Sequence, residues 1–292
     1  MSTVALATAA ELELPDDETS VVADALRQRG VDAVIAPWDG PFDWASADLV
    51  VIRSTWDYVH RLEEFLAWVD RAGAATALVN PGDVLRWNAH KRYLAELSAA
   101  GLPVVPTVMV ERGAEVSELR DLIADATEIV VKPAVSASAY GTARGHATDP
   151  ALADHLRGLV ATADALVQPL VPSVLTDGEV SLIYLGGELS HAVRKVAKPG
   201  DYRVQHEHGG TVQPHTPTAA EITVAEATLA AVPAPCAYAR VDVVAGTDGP
   251  MLMELELIEP QLFLDQAPGS APRFAAVLAA LAAPTSAAGT PG

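Results

Sequence analysis

Tyr238-Ala239-Arg240-Val241-Asp242-Val243-Val244 and Met251-Leu252-Met253-Glu254-Leu255-Glu256-Leu257 flank a turn built on Gly246-Thr247-Asp248-Gly249-Pro250. Two apolar runs around such a turn predict a β-hairpin. Period-two alternation puts Arg240 and Asp242 on one face of the first strand, and Glu254 and Glu256 on one face of the second. The apolar Met251, Met253, Leu255 and Leu257 are then expected to face the core. With the turn centred near Asp248, Asp242 falls opposite Glu254, and Arg240 falls opposite Glu256. Like charges facing each other across a sheet repel, and partial burial raises carboxylate pKa values further. A hard divalent cation removes the conflict. Mg²⁺ takes one or two carboxylates plus substrate phosphates. The competing reading is a solvated acidic face on an edge hairpin.

The rest of the chain bounds what this hairpin can serve. Its 292 residues are half hydrophobic, enough for one large or two to three small domains. The formal net charge of −19 leaves no general basic footprint for nucleic acid and disfavours anionic membranes. Cys236 is the only cysteine, so no intrachain disulfide forms, and a reduced cytosolic location is expected. No apolar run approaches bilayer-spanning length. The first basic residue is Arg27, which does not suit a signal-peptide start.

Upstream, strands are predicted at Val4–Thr8, Val31–Ala36, Leu49–Ile52 and Ala77–Val79. Helices are predicted at Glu18–Arg29, stopping at Gly30, and at His60–Arg71, ending near Gly73. Apolar strands alternating with amphipathic helices predict a parallel α/β sheet. GxGxxG is missing after the first strand, so dinucleotide binding is unsupported there. From about Asn88 an α+β region follows, with helices at His90–Ala100, Glu115–Ala124, Ala151–Ala161 and Ala219–Ala231. Its strands are expected at Val104–Val110, Ile129–Lys132, Leu166–Pro169, Val180–Leu185, Leu189–Val196 and in the hairpin. Phe274–Leu281 reads as a last helix, and 284–292 as a disordered tail.

Several smaller features bear on ligands. Lys132 ends the apolar strand Glu128-Ile129-Val130-Val131, and a small-residue loop containing Ser136, Ser138 and Gly141 follows. Such a loop brings backbone N–H groups close to phosphate oxygens, although GxxxxGK[ST] is absent. Lys91, alone, reads as a surface lysine. Residues 191–203 hold Arg194, Lys195, Lys198 and Arg203, a basic island in an acidic chain. It suits a phosphate or a carboxylate, or simple local charge balance. His206-Glu207-His208 has no third zinc ligand at a recognisable spacing. There is no GxSxG for a serine hydrolase.

Taken in order, these pieces resemble the ATP-grasp superfamily, which includes D-alanine–D-alanine ligase, glutathione synthetase and biotin carboxylase. The resemblance runs over about residues 88–260. It implies a pre-ATP-grasp α/β domain at 1–85, a small subdomain with the phosphate lid at 86–170, and a large subdomain with the metal site at 171–283. It further implies ATP and Mg²⁺. Lys91 and Lys132 match the two nucleotide lysines, and Ser136–Thr142, including Ser138, matches the lid. Gln168-Pro169-Leu170-Val171 matches the adenine hinge, and Glu179 the ribose carboxylate. Lys195, Lys198 and Arg203 compete for the basic position near the transferred phosphate. Arg240 would stabilise an oxyanion, and Asp242 and Glu254 would hold metal. Glu256 stands where the family has asparagine, and the lid has one glycine, Gly141. "RSTWDY" (Arg53–Tyr58), "DGEVSLIYLGGELSHAVRK" and "LMELELIEPQLFL" resemble a narrower subfamily, that of the O-ureido-serine cyclo-ligase.

The resemblance implies activation of a small amino-acid-like carboxylate as an acylphosphate, then attack by an amine, either within the molecule or between two. A peptide-modifying ligase and an ATP-binding protein without ligase activity remain the alternatives. Neither nucleic acid nor a membrane is expected as a partner, and a homodimer stays open. Arg53-Ser54-Thr55-Trp56-Asp57 follows a strand end, where open α/β sheets bind ligands. Arg53 could hold a carboxylate, and Trp56 or Tyr58 could wall the pocket. Equally, Asp57 could cap a helix while Trp56 packs in the core. Pro15-Asp16-Asp17-Glu18 could reach an ammonium, but helix capping explains it more simply.

Overall fold

The computed structural model describes the chain except residues 13, 14, 117, 124, 125, 138, 199–202, 204–208 and 284–292. The expected tail, Ser138 and His206-Glu207-His208 therefore lie outside the described residues.

The first sheet contains β1 (Thr3–Thr8), β2 (Asp32–Pro37), β3 (Leu49–Ile52) and β4 (Ala77–Val79) in the order β2-β1-β3-β4. Every pairing in it is parallel. Val4 to Ala7 and Val50 to Ile52 are wholly buried, as strands covered on both faces must be. Between them run α1 (Glu18–Gln28) and α2 (Leu62–Ala75). α1 stops where Gly30 turns left-handed, at φ 76°. The expected second helix is shifted: Trp56–His60 is a 3-10 turn, and α2 runs past Gly73.

Two short helices follow, α3 (Gly82–Asn88) and α4 (Tyr93–Ala99). The single helix expected at His90–Ala100 is thus broken at its start. The Lys91 N–H goes to Ala134 O at 2.9 Å, so it is spent on a neighbouring segment and not on a helical turn. A second sheet contains β5 (Val108–Val110), β6 (Glu128–Pro133), β7 (Ala143–His146) and β8 (Ala165–Pro169), with α5 (Pro150–Val160) against it. Its order is β5-β8-β6-β7, all antiparallel. The strand expected at Val104–Val110 is interrupted. Val104 makes an isolated bridge to Leu252, and β5 starts only after Pro106, which has no N–H to donate. In place of the helix expected at Glu115–Ala124, the described residues form a 3-10 turn over Leu119–Asp121.

The third sheet is antiparallel, with α6 (Ser173–Thr176) preceding it. Its strands are β9 (Glu179–Leu185), β10 (Glu188–Val196), β11 (Thr211–His215), β12 (Tyr238–Ala245) and β13 (Pro250–Glu256). They lie in the order β11-β10-β9-β12-β13. α7 (Ala219–Ala230) covers one face. α8 (Ser270–Leu281) fills the space between the other face and α1, where Phe274 and Leu278 meet Leu26, Ile183 and Tyr238 in one buried cluster. The parallel sheet and this sheet are therefore joined by a shared core. The Tyr238 hydroxyl, 3.0 Å from Ile52 O and 2.8 Å from Ile258 O, adds a polar tie.

β13 is an edge strand, and its outward backbone groups are covered one by one. The Asn88 side chain donates to Leu255 O and accepts from Leu257 N, both at 2.8 Å. The Tyr93 hydroxyl accepts from Leu255 N at 3.1 Å, and Asn80 donates to Leu257 O at 2.8 Å. The edge is thus closed to further strands. Among the described residues, no helix is long and apolar enough to cross a membrane.

Candidate active site

The hairpin register places Arg240 opposite Glu256 and Asp242 opposite Glu254, as the alternation requires. One detail differs. The pairing shifts between Asp242 and Val243, which leaves an extra residue on β13. That bulge reverses the alternation, so Leu252, Leu255 and Leu257 are buried in the core. Met251 and Met253, expected in the core, are only partly buried, and Met253 lines a cavity instead.

Across the sheet, Lys195 faces Glu179 and Asp242 faces Ser181. Four adjacent strands thus carry one polar face. The Arg240 Nε is 3.1 Å from Asp242 Oδ1, and its Nη2 is 3.1 Å from Asp242 Oδ2 and also pairs with Glu256. Nη1 donates to Gln261 O at 3.2 Å. Ser181 donates to Asp242 at 2.6 Å, and Lys195 lies 3.1 Å from Asp242 and also pairs with Glu179.

Burial disfavours the charge on Asp242, but Arg240 and Lys195 outweigh it and hold its carboxyl well below the usual range. The same contest goes the other way at Glu179, where burial outweighs Lys195 and the carboxyl is pushed up to about 7. Glu256 rises to about 8, from burial first, because one shared guanidinium does not offset three neighbouring carboxylates. Glu254 is lowered despite burial, by Lys91 and then Lys132.

Lys91 sits between the two helices that stitch the β13 edge. Its Nζ is 3.1 Å from Glu254 Oε1 and 2.6 Å from Ser136 O. The sequence read by itself makes Lys91 a surface residue, yet it is buried. Lys132 is buried too, and burial pulls its ammonium pKa down. Among the described residues no carboxylate lies within ion-pair distance of it.

A cavity of about 730 Å³ opens between the three sheets. One half is lined by Lys91, Lys132, Gln168-Pro169-Leu170-Val171, Glu179 and Lys195. The other half is lined by Arg53, Ser54, Trp56, Tyr58 and Glu259. Arg240, Glu254 and Glu256 also line the cavity. Of the three basic candidates, Lys195 belongs to the polar face, and Arg203 also lines the cavity. Among the described residues, no three acidic, histidine or cysteine side chains converge closely enough to hold a metal by themselves. Here the carboxylates are held by Arg240, Lys195 and Lys91. The donor set still fits Mg²⁺, because that ion accepts few carboxylates and takes its remaining ligands from phosphate and water.

The expected acceptor residues divide. Arg53 is buried with its guanidinium against the rings of Tyr238 and Phe274, and its Nη2 is 3.1 Å from Glu18. Glu18 also accepts the N–H groups of Leu262 and Leu264, each at 2.8 Å, so it anchors a loop. Asp16 caps Thr19 N at 3.2 Å. Ser54 bonds Thr8 at 2.8 Å. Thr55 is buried away from the cavity. Asp57 also stands off it, accepting from Trp38 at 2.9 Å and pairing with Arg61. Tyr58, named with Trp56 as a possible wall, lines the cavity, whereas Ser181 and Glu259 were given no role from sequence. For Ser181 the signal was present in the period-two step from Glu179.

The model of the D-cycloserine synthetase DcsG N-terminal domain matches residues 4–80, and that of the prokaryotic glutathione synthetase ATP-grasp domain matches 96–261. The chain is 36% identical to the cycloserine biosynthesis protein DcsG of Streptomyces lavendulae, over 96% of this chain and 98% of that protein. This chain belongs to the ATP-grasp ligase family. Its structure matches the crystal structure of D-cycloserine synthetase DcsG with a TM-score of 0.86 at 34% identity, covering 97% of this chain and 100% of that one. It shares its fold with the ATP-grasp ligase PsnB, solved with Mg and ADP (TM-score 0.66, 18% identity, 97% and 99% coverage). As an ATP-grasp enzyme it is an ATP-dependent ligase that forms carbon–nitrogen bonds.

Proposed function

We propose that this ATP-grasp ligase closes O-ureido-D-serine onto its own activated carboxyl to form D-cycloserine, a step in antibiotic biosynthesis. The observation that carries the ATP half is Lys132, a buried cation on the cavity wall with no carboxylate partner among the described residues. A buried charge left unpaired is costly, and a nucleotide phosphate is the counter-charge it needs. The substrate half rests on near full-length similarity to the cycloserine protein and on the size of the cavity, which suits a nucleotide plus a small acceptor.

In this reading Gln168 to Val171 receive the adenine, Glu179 the ribose, and Lys91, Lys132 and Lys195 the phosphates. Ser138, by the family match, adds a lid contact. Asp242, Glu254 and Glu256 hold Mg²⁺, which, when bound, neutralises phosphate charge. The substrate carboxylate oxygen attacks the γ-phosphorus and ADP leaves. The oxygen-bound nitrogen of the same substrate then attacks the acyl carbon, losing its proton as phosphate leaves. Water takes the carbamoyl group from that nitrogen as carbamic acid, which breaks down to carbon dioxide and ammonia. Arg240 is clamped by Asp242, Glu256 and Gln261 O, so it meets the developing oxyanion with little reorganisation. Arg203 sits on the same wall for the transferred phosphoryl group. Arg53, Ser54 and Trp56 border the acceptor. Thr55 and Asp57 act from behind, through the turn that carries Trp56.

The test is ADP release from Mg-ATP with O-ureido-D-serine, with D-cycloserine identified by mass spectrometry. If this substrate and a panel of amino-oxy amino acids released no ADP above background, the reading would fail.

A further inference from the structure

The cavity contains a second buried charge that the chemistry above does not use. Glu259 lies on its acceptor half and is only 7% exposed. Among the described residues, every other buried or half-buried carboxylate on or beside the cavity wall has a partner from elsewhere in the chain. Glu179 has Lys195, and Asp242 has Arg240, Lys195 and Ser181. Glu254 has Lys91, and Glu256 has Arg240. Glu18 has Arg53 and two backbone N–H groups, and Asp16 has Thr19 N. Among the described residues, the Glu259 carboxylate has only its own N–H.

Its backbone is nonetheless fixed. Trp56 Nε1 donates to Glu259 O at 3.4 Å, which brings an indole beside the same residue. On the other side, Arg240 donates to Gln261 O at 3.2 Å, so the segment is tied to the residue placed at the reacting carbonyl. Burial pushes the Glu259 carboxyl up to about 7, and Lys91 and Arg240, neither of them in ion-pair contact with it, offset that only in part. A buried, unpartnered carboxylate beside an aromatic side chain is a cation site, and one that is open to the acceptor half of the cavity takes its cation from the acceptor.

We propose that Glu259 is the ammonium-binding residue of the acceptor subsite, so that the enzyme selects a free α-amino acid over its des-amino or N-acylated analogue. The proposal rests on reading the cavity as a ligase site. It adds the group that orients the substrate: with the ammonium on Glu259 and the carboxylate toward Arg240, the amino acid spans a defined direction. Trp56 is a positioning residue, acting through the main chain of Glu259.

Calorimetric titration of the chain loaded with Mg²⁺ and a non-hydrolysable ATP analogue tests this. The probes are O-ureido-D-serine and its des-amino analogue, 3-(ureidooxy)propanoate. In the wild type, the des-amino compound is expected to bind about 10- to 100-fold more weakly, the range of a charge-assisted hydrogen bond. Glu259→Gln is expected to weaken the amino compound by the same factor and to leave the des-amino compound and the nucleotide within about 3-fold. If Glu259→Gln weakened both compounds equally, or neither, or if the wild type bound neither, the proposal would be overturned. ADP release measured in parallel separates the two readings. The binding pattern without turnover removes only the cyclisation, and turnover without the pattern removes only the ammonium subsite.

Discussion

Lys91 Nζ lies 3.1 Å from Glu254 Oε1, and the same nitrogen reaches the carbonyl of Ser136. One cation thus joins the acidic strand to the small-residue loop after β6. Lys91→Met removes that charge with little change in length. We expect turnover to fall by about 100-fold or more, because a positioned cation at a transferring phosphoryl group contributes on that scale. Steady-state ADP release and the ATP KM check it. Unchanged values in the variant would place the phosphates elsewhere.

For Glu254 itself, Glu254→Gln keeps the shape and removes the charge. Turnover is expected to drop by orders of magnitude, with saturation by Mg²⁺ shifted to higher concentration. Full activity in this variant would remove the metal from the hairpin.

In the proposed site, Glu256 would make metal binding pH-dependent. Burial and the neighbouring carboxylates push its carboxyl up to about 8. At lower pH a proton occupies the group and must leave when the metal arrives. Apparent Mg²⁺ affinity is therefore expected to rise with pH up to about 8 and then level off. Glu256→Asn, which restores the amide typical of the family, is expected to flatten that rise. Titration of Mg²⁺ at several pH values shows which occurs.

Asn88 closes the edge of β13 through two backbone groups, Leu255 O and Leu257 N. Removing its amide strands both groups away from water. Asn88→Ala is therefore expected to cost about 2 kcal/mol or more of stability. It is also expected to raise the ATP KM, since Asn88 and Tyr93 hold the turn that carries Lys91. Denaturant unfolding alongside ATP kinetics checks both effects.

Far from the site, Thr218 and Glu221 form a capping box on α7, and Glu221 also accepts from His215 at 3.0 Å. Burial pushes the Glu221 carboxyl up, but the Thr218 N–H and His215 outweigh it and leave it lowered. A lowered carboxyl stabilises the fold above its unfolded pKa and loses that contribution as pH falls through the folded value. Glu221→Ala is expected to cost about 1 kcal/mol at about pH 7. The gap to wild type should close in acid. Urea midpoints at neutral pH and below about pH 4, the ordinary carboxylate range, measure it.

Much of the site was legible because it lies on strands. Alternation gave the face of Arg240, Asp242, Glu254 and Glu256, and turn length gave their pairing. The bulge at Met253 was not legible, because an extra residue on one strand leaves no mark in an apolar run. Lys91 looked like a surface residue because its burial comes from Asn88 and Tyr93 bonding a strand far away in sequence. Glu259 follows the last strand, where alternation has stopped and only tertiary packing decides which side chain is enclosed. The helix expected at Glu115–Ala124 failed for a related reason: helical periodicity in a short polar segment is a weak guide when packing supplies most of a helix's stability.

Glu18 has a further consequence. Its carboxylate receives Arg53 and the N–H groups of Leu262 and Leu264, so the first helix of the chain holds the loop that carries Gln261 and follows Glu259. The amino-terminal sheet is therefore not an interchangeable cartridge. Grafting the corresponding unit of another ligase onto this catalytic half, in order to change its substrate, would transplant an acceptor wall and at the same time cut the moorings of the native one. A working chimera needs a carboxylate at position 18 and an arginine at position 53 before any residue that contacts the substrate is chosen.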